Sequence, residues 1–96
     1  MYLKIHKPGS GIIVAVCDKD VLGKKLKHGN VNVEISEWFY KGDIASEEQV
    51  IEALANAKTA NLFGERTIAC AIKCGAVDAE CVVVIDGVKH AQIFHL

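Results

Sequence analysis

Ser46-Glu47-Glu48-Gln49-Val50-Ile51-Glu52-Ala53-Leu54-Ala55-Asn56-Ala57 carries both the start signal and the period of an amphipathic helix. A serine followed three residues later by glutamine is a capping box, in which each side chain serves the other's backbone N–H. At about 100° per residue, Val50, Ile51, Leu54 and Ala57 gather on one side. Glu48, Gln49, Glu52 and Asn56 gather on the other. Such a helix has to lay its apolar stripe on something.

A second helix is expected from about Phe63 to Cys74, with Asn61 as its N-terminal cap and Gly75 as a left-handed C-terminal cap. Its faces are unusual. Ile68, Ala71, Ile72 and Gly75 share one side, while Cys70 and Cys74 lie roughly opposite, beside Arg66, Thr67 and Lys73. That side is covered by the first helix, or forms a subunit contact, or holds a thiolate favoured by Arg66 one turn before Cys70.

The flanks of the two helices read as strands. Tyr2 to Lys7 alternates, Pro8-Gly9-Ser10-Gly11 is a turn cluster, and Ile12 to Cys17 is apolar on both faces. Asp18 to Leu26 reads as a short helical turn or structured loop. Val31 to Ser36 alternates as a half-solvated strand, and Glu37 to Asp43 leaves that period. Cys81 to Ile85 reads as a strand buried on both faces. Asp86-Gly87 is a tight hairpin turn, leading into a last strand from Val88 to Phe94. The expected fold is α+β: a single mainly antiparallel sheet, in the order strand-strand-strand-helix-helix-strand-strand, with two helices packed on one face.

Bulk properties bound the rest. Ninety-six residues, 51% of them apolar, suffice for one core, so residues 1–96 are expected to form a single domain. No apolar run approaches the roughly twenty residues of a membrane span, and no secretory signal is visible. The expected location is the cytoplasm, with the four cysteines reduced. A formal charge of −1 excludes a whole-surface electrostatic grip on nucleic acid and leaves room for a local one.

Four cysteines and four histidines invite a metal hypothesis. Their spacing opposes it, because structural zinc sites draw ligands from tight knuckles and these thiols fall in a helix and in strands. No metal and no cofactor is expected. Nucleophilic catalysis would need a thiol with a base, and Cys17 beside Asp18, or Cys70, together with His90, are the candidates. Their structural alternative is a core thiol and a half-buried strand histidine.

Binding residues are sought in four places. Trp38-Phe39-Tyr40-Lys41-Gly42 joins aromatic faces to a cation, the pairing that stacked bases need, or else anchors the chain on the core. Asn61-Leu62-Phe63-Gly64-Glu65-Arg66 crosses a helix start, where free N–H groups attract anions, or where Asn61 and Glu65 simply cap and complement the dipole. Lys24, in the basic run Gly23 to His28, is where an acidic partner would dock. Gln92 alternates with His90 and Phe94 on one strand face. The candidate binding residues are thus Lys24, Tyr40, Lys41, Asn61, Gly64, Glu65, Arg66 and Gln92.

Val14-Ala15-Val16-Cys17-Asp18, Leu22-Gly23-Lys24-Lys25, Ser36-Glu37-Trp38-Phe39-Tyr40-Lys41-Gly42, Ala60-Asn61-Leu62-Phe63-Gly64-Glu65-Arg66 and His90-Ala91-Gln92 together resemble a small archaeal family of uncharacterised proteins, domain of unknown function 424. The resemblance spans essentially the whole chain in matching order. It implies an archaeal, cytoplasmic, stand-alone domain, and it implies no activity, so no catalytic residue carries over. The expected function is a small binding or adaptor module acting through protein or RNA contacts, in a translation or ribonucleoprotein setting. A small Cys/His-dependent enzyme and a structural subunit of a homo-oligomer, joined through the second helix, are the alternatives.

Overall fold

Val14, Ala15, Val16 and Cys17 are all fully buried. Successive strand residues point to opposite faces, so this stretch must be covered on both sides and belongs in the middle of a sheet. The computed structural model, which describes residues 1–9 and 11–95, places it there. In chain order the elements are β1 (Tyr2–His6), β2 (Ile13–Cys17), β3 (Lys25–His28), β4 (Val31–Glu34), α1 (Glu37–Tyr40), β5 (Asp43–Ile44), α2 (Glu47–Ala55), β6 (Thr59–Phe63), α3 (Glu65–Lys73), β7 (Val83–Ile85) and β8 (Val88–Phe94). Six strands form one sheet in the order β5-β1-β2-β6-β8-β7, and β3 and β4 form a separate hairpin.

The α+β class holds, and so does the mainly antiparallel sheet, with α2 and α3 on one face. On that face Val50, Leu54, Ile68, Cys70 and Ala71 pack against Val14, Val16, Ala60, Leu62, Ala91 and Ile93. On the other, Val21, Leu26, Ile35 and Tyr40 pack against Ala15, Cys17, Phe63, Ile85 and Val88. Here the cover is the β3–β4 hairpin and the short helix α1.

The element order differs from the expected one. Residues 59–63 form a central strand between the two long helices, parallel to β2 and antiparallel to β8. Asn61 is therefore no helix cap. It pairs with Ala15 on one side and Gln92 on the other, and α3 begins at Glu65 after Gly64. The strand Thr59-Ala60-Asn61-Leu62-Phe63 ends on two apolar residues and runs into the helix through Gly64 alone, so the shift from strand to helix period is hidden. Lys25–His28 is likewise a strand and not a loop, and Glu37–Tyr40 is a helical turn capped by the Ser36 hydroxyl. Cys81 lies in a 3-10 turn, and Val83 and Val84 are exposed. They sit on an edge strand, so the expected burial on both faces is corrected there.

Other local signals read true. Ser46 and Gln49 form the reciprocal capping box. Asp86 and Gly87 adopt φ 49 and 81 between β7 and β8, the left-handed pair a two-residue hairpin demands. Gly75 follows α3 at φ 79. The turn cluster before β2 includes Ser10, which lies outside the described residues.

The central parallel pair is tied together at its carboxyl end, where the Asp18 N–H donates to the Phe63 carbonyl (3.0 Å). The Gly64 N–H donates to the Lys89 carbonyl (2.8 Å) and so extends the pairing of β6 with β8. The Asp18 carboxylate then caps α3 across the sheet. Its Oδ2 accepts from the Arg66 N–H (2.9 Å), and its Oδ1 accepts from the Thr67 N–H (2.8 Å) and the Thr67 hydroxyl (2.8 Å). Gly64 makes room for this. Its φ is 113, and a Cβ there would stand 2.4 Å from the Asp18 carboxyl carbon.

Asp18 is only 6% exposed and Thr67 is fully buried, so removing the carboxylate strands three donors. Asp18→Ala is expected to cost about 1–3 kcal/mol. In urea titrations this lowers the midpoint at unchanged slope, and a wild-type midpoint would contradict the capping role.

Candidate functional site

Strand registers align side chains into rows on the sheet face opposite α2 and α3. One row is His6, Ile13, Thr59 and Phe94; the next is Lys4, Ala15, Asn61 and Gln92; the third is Tyr2, Cys17, Phe63, His90 and Val83. The hairpin and α1 cover the middle of the third row and Ala15. The first two rows stay largely open. Phe94 is 63% exposed, Gln92 is exposed, and His6, Ile13, Thr59 and Asn61 are half-buried. At about 4.8 Å per strand, each row spans about 14 Å from β1 to β8. None of the chain's acidic residues stands in these three rows.

The open rows end at an aromatic wall beside β1. The His6 ring stacks on Phe39 (centroids 4.5 Å, 15°), and its Nε2–H donates to the Phe39 carbonyl (2.9 Å). Trp38 leans over His6 at 5.6 Å and is 74% exposed. The Lys4 ammonium donates to the Trp38 carbonyl and lies 5.4 Å from the centre of the indole, a cation–π arrangement. Rings continue inward from this wall. Phe39 meets Tyr40 edge-on at 5.1 Å, Tyr40 meets Phe63 at 5.7 Å, and Phe63 stacks on His90 at 4.1 Å.

The candidate residues fall into different places. Asn61 and Gln92 are register partners on the open face. Lys24 and Lys41 are exposed. Tyr40 is a core residue whose hydroxyl pKa is raised by burial and, after that, by Cys17. Gly64 is buried against Asp18, and Glu65 pairs with Lys89 at 2.9 Å. Arg66 is exposed, but its N–H and that of Thr67 already hold Asp18. The anion position at the start of α3 is thus filled from within.

The nucleophile candidates are also kept apart. Cys17 and His90 flank β6, with Phe63 between them in the row. Burial, and after it the Asp18 charge, pushes the Cys17 thiol up to about 12. Burial lowers His90, against the raising effect of its hydrogen bond to the Leu62 carbonyl (2.9 Å). A high thiol beside a low imidazole is the reverse of what a thiolate–imidazolium pair needs. Cys70 lies across the sheet, packed under α2, and is raised by burial and by Glu47. Cys74 and Cys81 are exposed.

Lys4 and His6 were not singled out from sequence, whereas Trp38 lay in the aromatic segment and Phe94 on the strand face of Gln92, neither chosen as a binding residue itself. The alternation of β1 carried the signal for the first two. Nothing local could show that α1 folds back onto β1, because Trp38 and Lys4 are 34 residues apart.

Two measurements check this chemistry. Alkylation of the native protein at neutral pH should modify Cys74 and Cys81 quickly and Cys17 and Cys70 slowly; fast labelling of Cys17 would contradict its burial. For His90, the unfolded chain binds the proton more tightly than the folded one, so stability should fall as pH drops below about 6.5. His90→Gln should flatten that loss between pH 7 and 5, and an identical pH profile would refute it.

Comparison with known proteins follows the geometry closely. A crystal structure of an uncharacterised conserved protein from Methanopyrus kandleri matches with a TM-score of 0.82 and 27% sequence identity, covering 99% of this chain and 92% of that one. No curated protein matches. The family model described as "Protein of unknown function (DUF424)" matches residues 5–96, and the chain belongs to that family.

Proposed function

We propose that this chain is a small binding module that takes single-stranded RNA on the open face of its sheet. Bases stack on Trp38 and Phe94, and the Asn61 and Gln92 amides between them hydrogen-bond to base edges. The observation that carries this reading is the exposed Trp38 indole with the Lys4 ammonium beside it, at the margin of sheet rows that hold no carboxylate. The exposed indole presents an open π-face beside a cation, and every base offers a π-face to cover it. The half-buried Asn61 supplies a donor and an acceptor on a rigid central strand, where its position is fixed by two neighbours. An enzyme built on Cys17 and His90 gains no support from this arrangement, since both groups are held neutral and Phe63 stands between them.

Trp38 is the chain's single tryptophan, so its fluorescence reports the site directly. Titration with a single-stranded RNA 12-mer at low salt should quench it saturably. Phe94→Ala should weaken binding by about 1–3 kcal/mol, the usual worth of one stacked base, without changing the thermal midpoint. Absence of both quenching and anisotropy change would reject the reading and leave a protein partner for this face.

A further inference from the structure

The β3–β4 hairpin carries a charge opposite in sign to that of the chain as a whole. Residues 24–34 hold three lysines and one glutamate, a net of +2. The remaining chain therefore carries −3 of the overall −1. Leu26, 3% exposed, and the half-buried Val33 are register partners that pin the ribbon to the core. Alternation sends Lys25 and Lys27 to its outer side, paired with Glu34 and Asn32. Lys24, Lys25, Lys27 and His28 are all exposed. Among the described residues, no lysine of the hairpin stands in an ion pair, the two bridges being Lys73–Glu47 and Lys89–Glu65.

Position gives this charge its meaning. The ribbon packs on the same side of the sheet as the open rows, over Cys17, Phe63, Ile85 and Val88. The Lys27 N–H donates to the Asp86 carboxylate (3.3 Å), which fixes the ribbon beside the β7–β8 turn. Lys25 and Lys27 are two residues apart on one strand, about 7 Å, a spacing suited to successive phosphates of an extended chain. A strand whose bases lie on the open face has to send its backbone past one side of it, and the hairpin offers three exposed lysines on one such side.

We infer that the β3–β4 hairpin is a phosphodiester-binding arm: Lys25 and Lys27, flanked by Lys24, hold the backbone of the same RNA whose bases lie on the sheet. This rests on the reading of the open face as an RNA site. It gives the arm an electrostatic role, setting affinity and salt dependence, while the sheet face holds the bases.

The test is the salt dependence of binding to an RNA 12-mer, read by anisotropy between about 50 and 200 mM salt. Each neutralised phosphate of a single strand contributes about 0.7 to the logarithmic slope, so Lys25→Ala/Lys27→Ala should flatten it by about 1.4. Lys73→Ala, on the helix side, should leave it as in wild type. Both lysines are exposed, so melting curves of the double variant should match wild type and exclude misfolding. An unchanged slope with RNA still bound would overturn the arm and spare the sheet-face reading. No RNA binding by wild type overturns both. Poly-glutamate binding as tightly as RNA, with the same lysine dependence, would make the occupant an acidic protein segment and also overturn the proposal.

Discussion

A single carboxylate closes the centre of this fold. Asp18 directly follows β2, and its two oxygens take three donors from the first turn of α3, 48 and 49 residues further along the chain. A parallel strand pair cannot be joined by a tight turn, so β2 and β6 must find each other across a long connection. That connection carries the hairpin, α1 and α2. The entropy of closing so long a loop has to be met by contacts formed at its ends. Buried side chains along β2 and β6 supply most of that, and the Asp18 cap fixes where α3 starts relative to the sheet. Gly64 is the matching concession in the backbone, a residue whose missing Cβ leaves the carboxyl group its place.

Once that junction is set, the two faces of the sheet part company. The helices bury Val14, Val16, Ala60, Leu62, Ala91 and Ile93 completely or nearly so. The hairpin and α1 are too short to do the same for the other face. They protect Cys17, Phe63, Ile85 and Val88 and leave the two rows nearer the β1–β2 turn half open. Burial of the thiol and the imidazole beneath that partial cover suppresses their reactivity. The remaining open surface offers aromatic rings, amides and an ammonium group, the groups on which the proposed RNA site is built. Cys17 and His90 lie one row in from the exposed amide of Gln92.

Much of this was legible in the residues. The Ser46–Gln49 capping box, the Asp86–Gly87 turn and the Gly75 cap each announce a local conformation through local chemistry and appear as expected, and the Ile12–Cys17 run is a central strand buried on both faces from Val14 to Cys17. The central strand at 59–63 was not legible. Ala60, Leu62 and Phe63 are as apolar as the helix they precede, and a short buried run fits either period. Asn61 was drawn into that helix as a cap by its residue type, although its actual constraint is the pairing with Ala15 and Gln92. The helix cap that does exist, Asp18, is distant in sequence, and no window of neighbouring residues contains both partners. The same holds for the site: β-alternation placed Gln92 with Phe94, but only the fold brings Trp38 onto Lys4 and His6.

The central question is whether the partly covered sheet face is the surface that meets a nucleic acid. Amide chemical-shift mapping of labelled protein during titration with a single-stranded RNA answers this without altering any residue. The largest changes should trace His6, Lys4, Thr59, Asn61, Gln92, Phe94 and the Trp38 indole, with α2 and the outer side of α3 still. Shifts concentrated on α2 and α3, or none anywhere at saturating RNA, would contradict it.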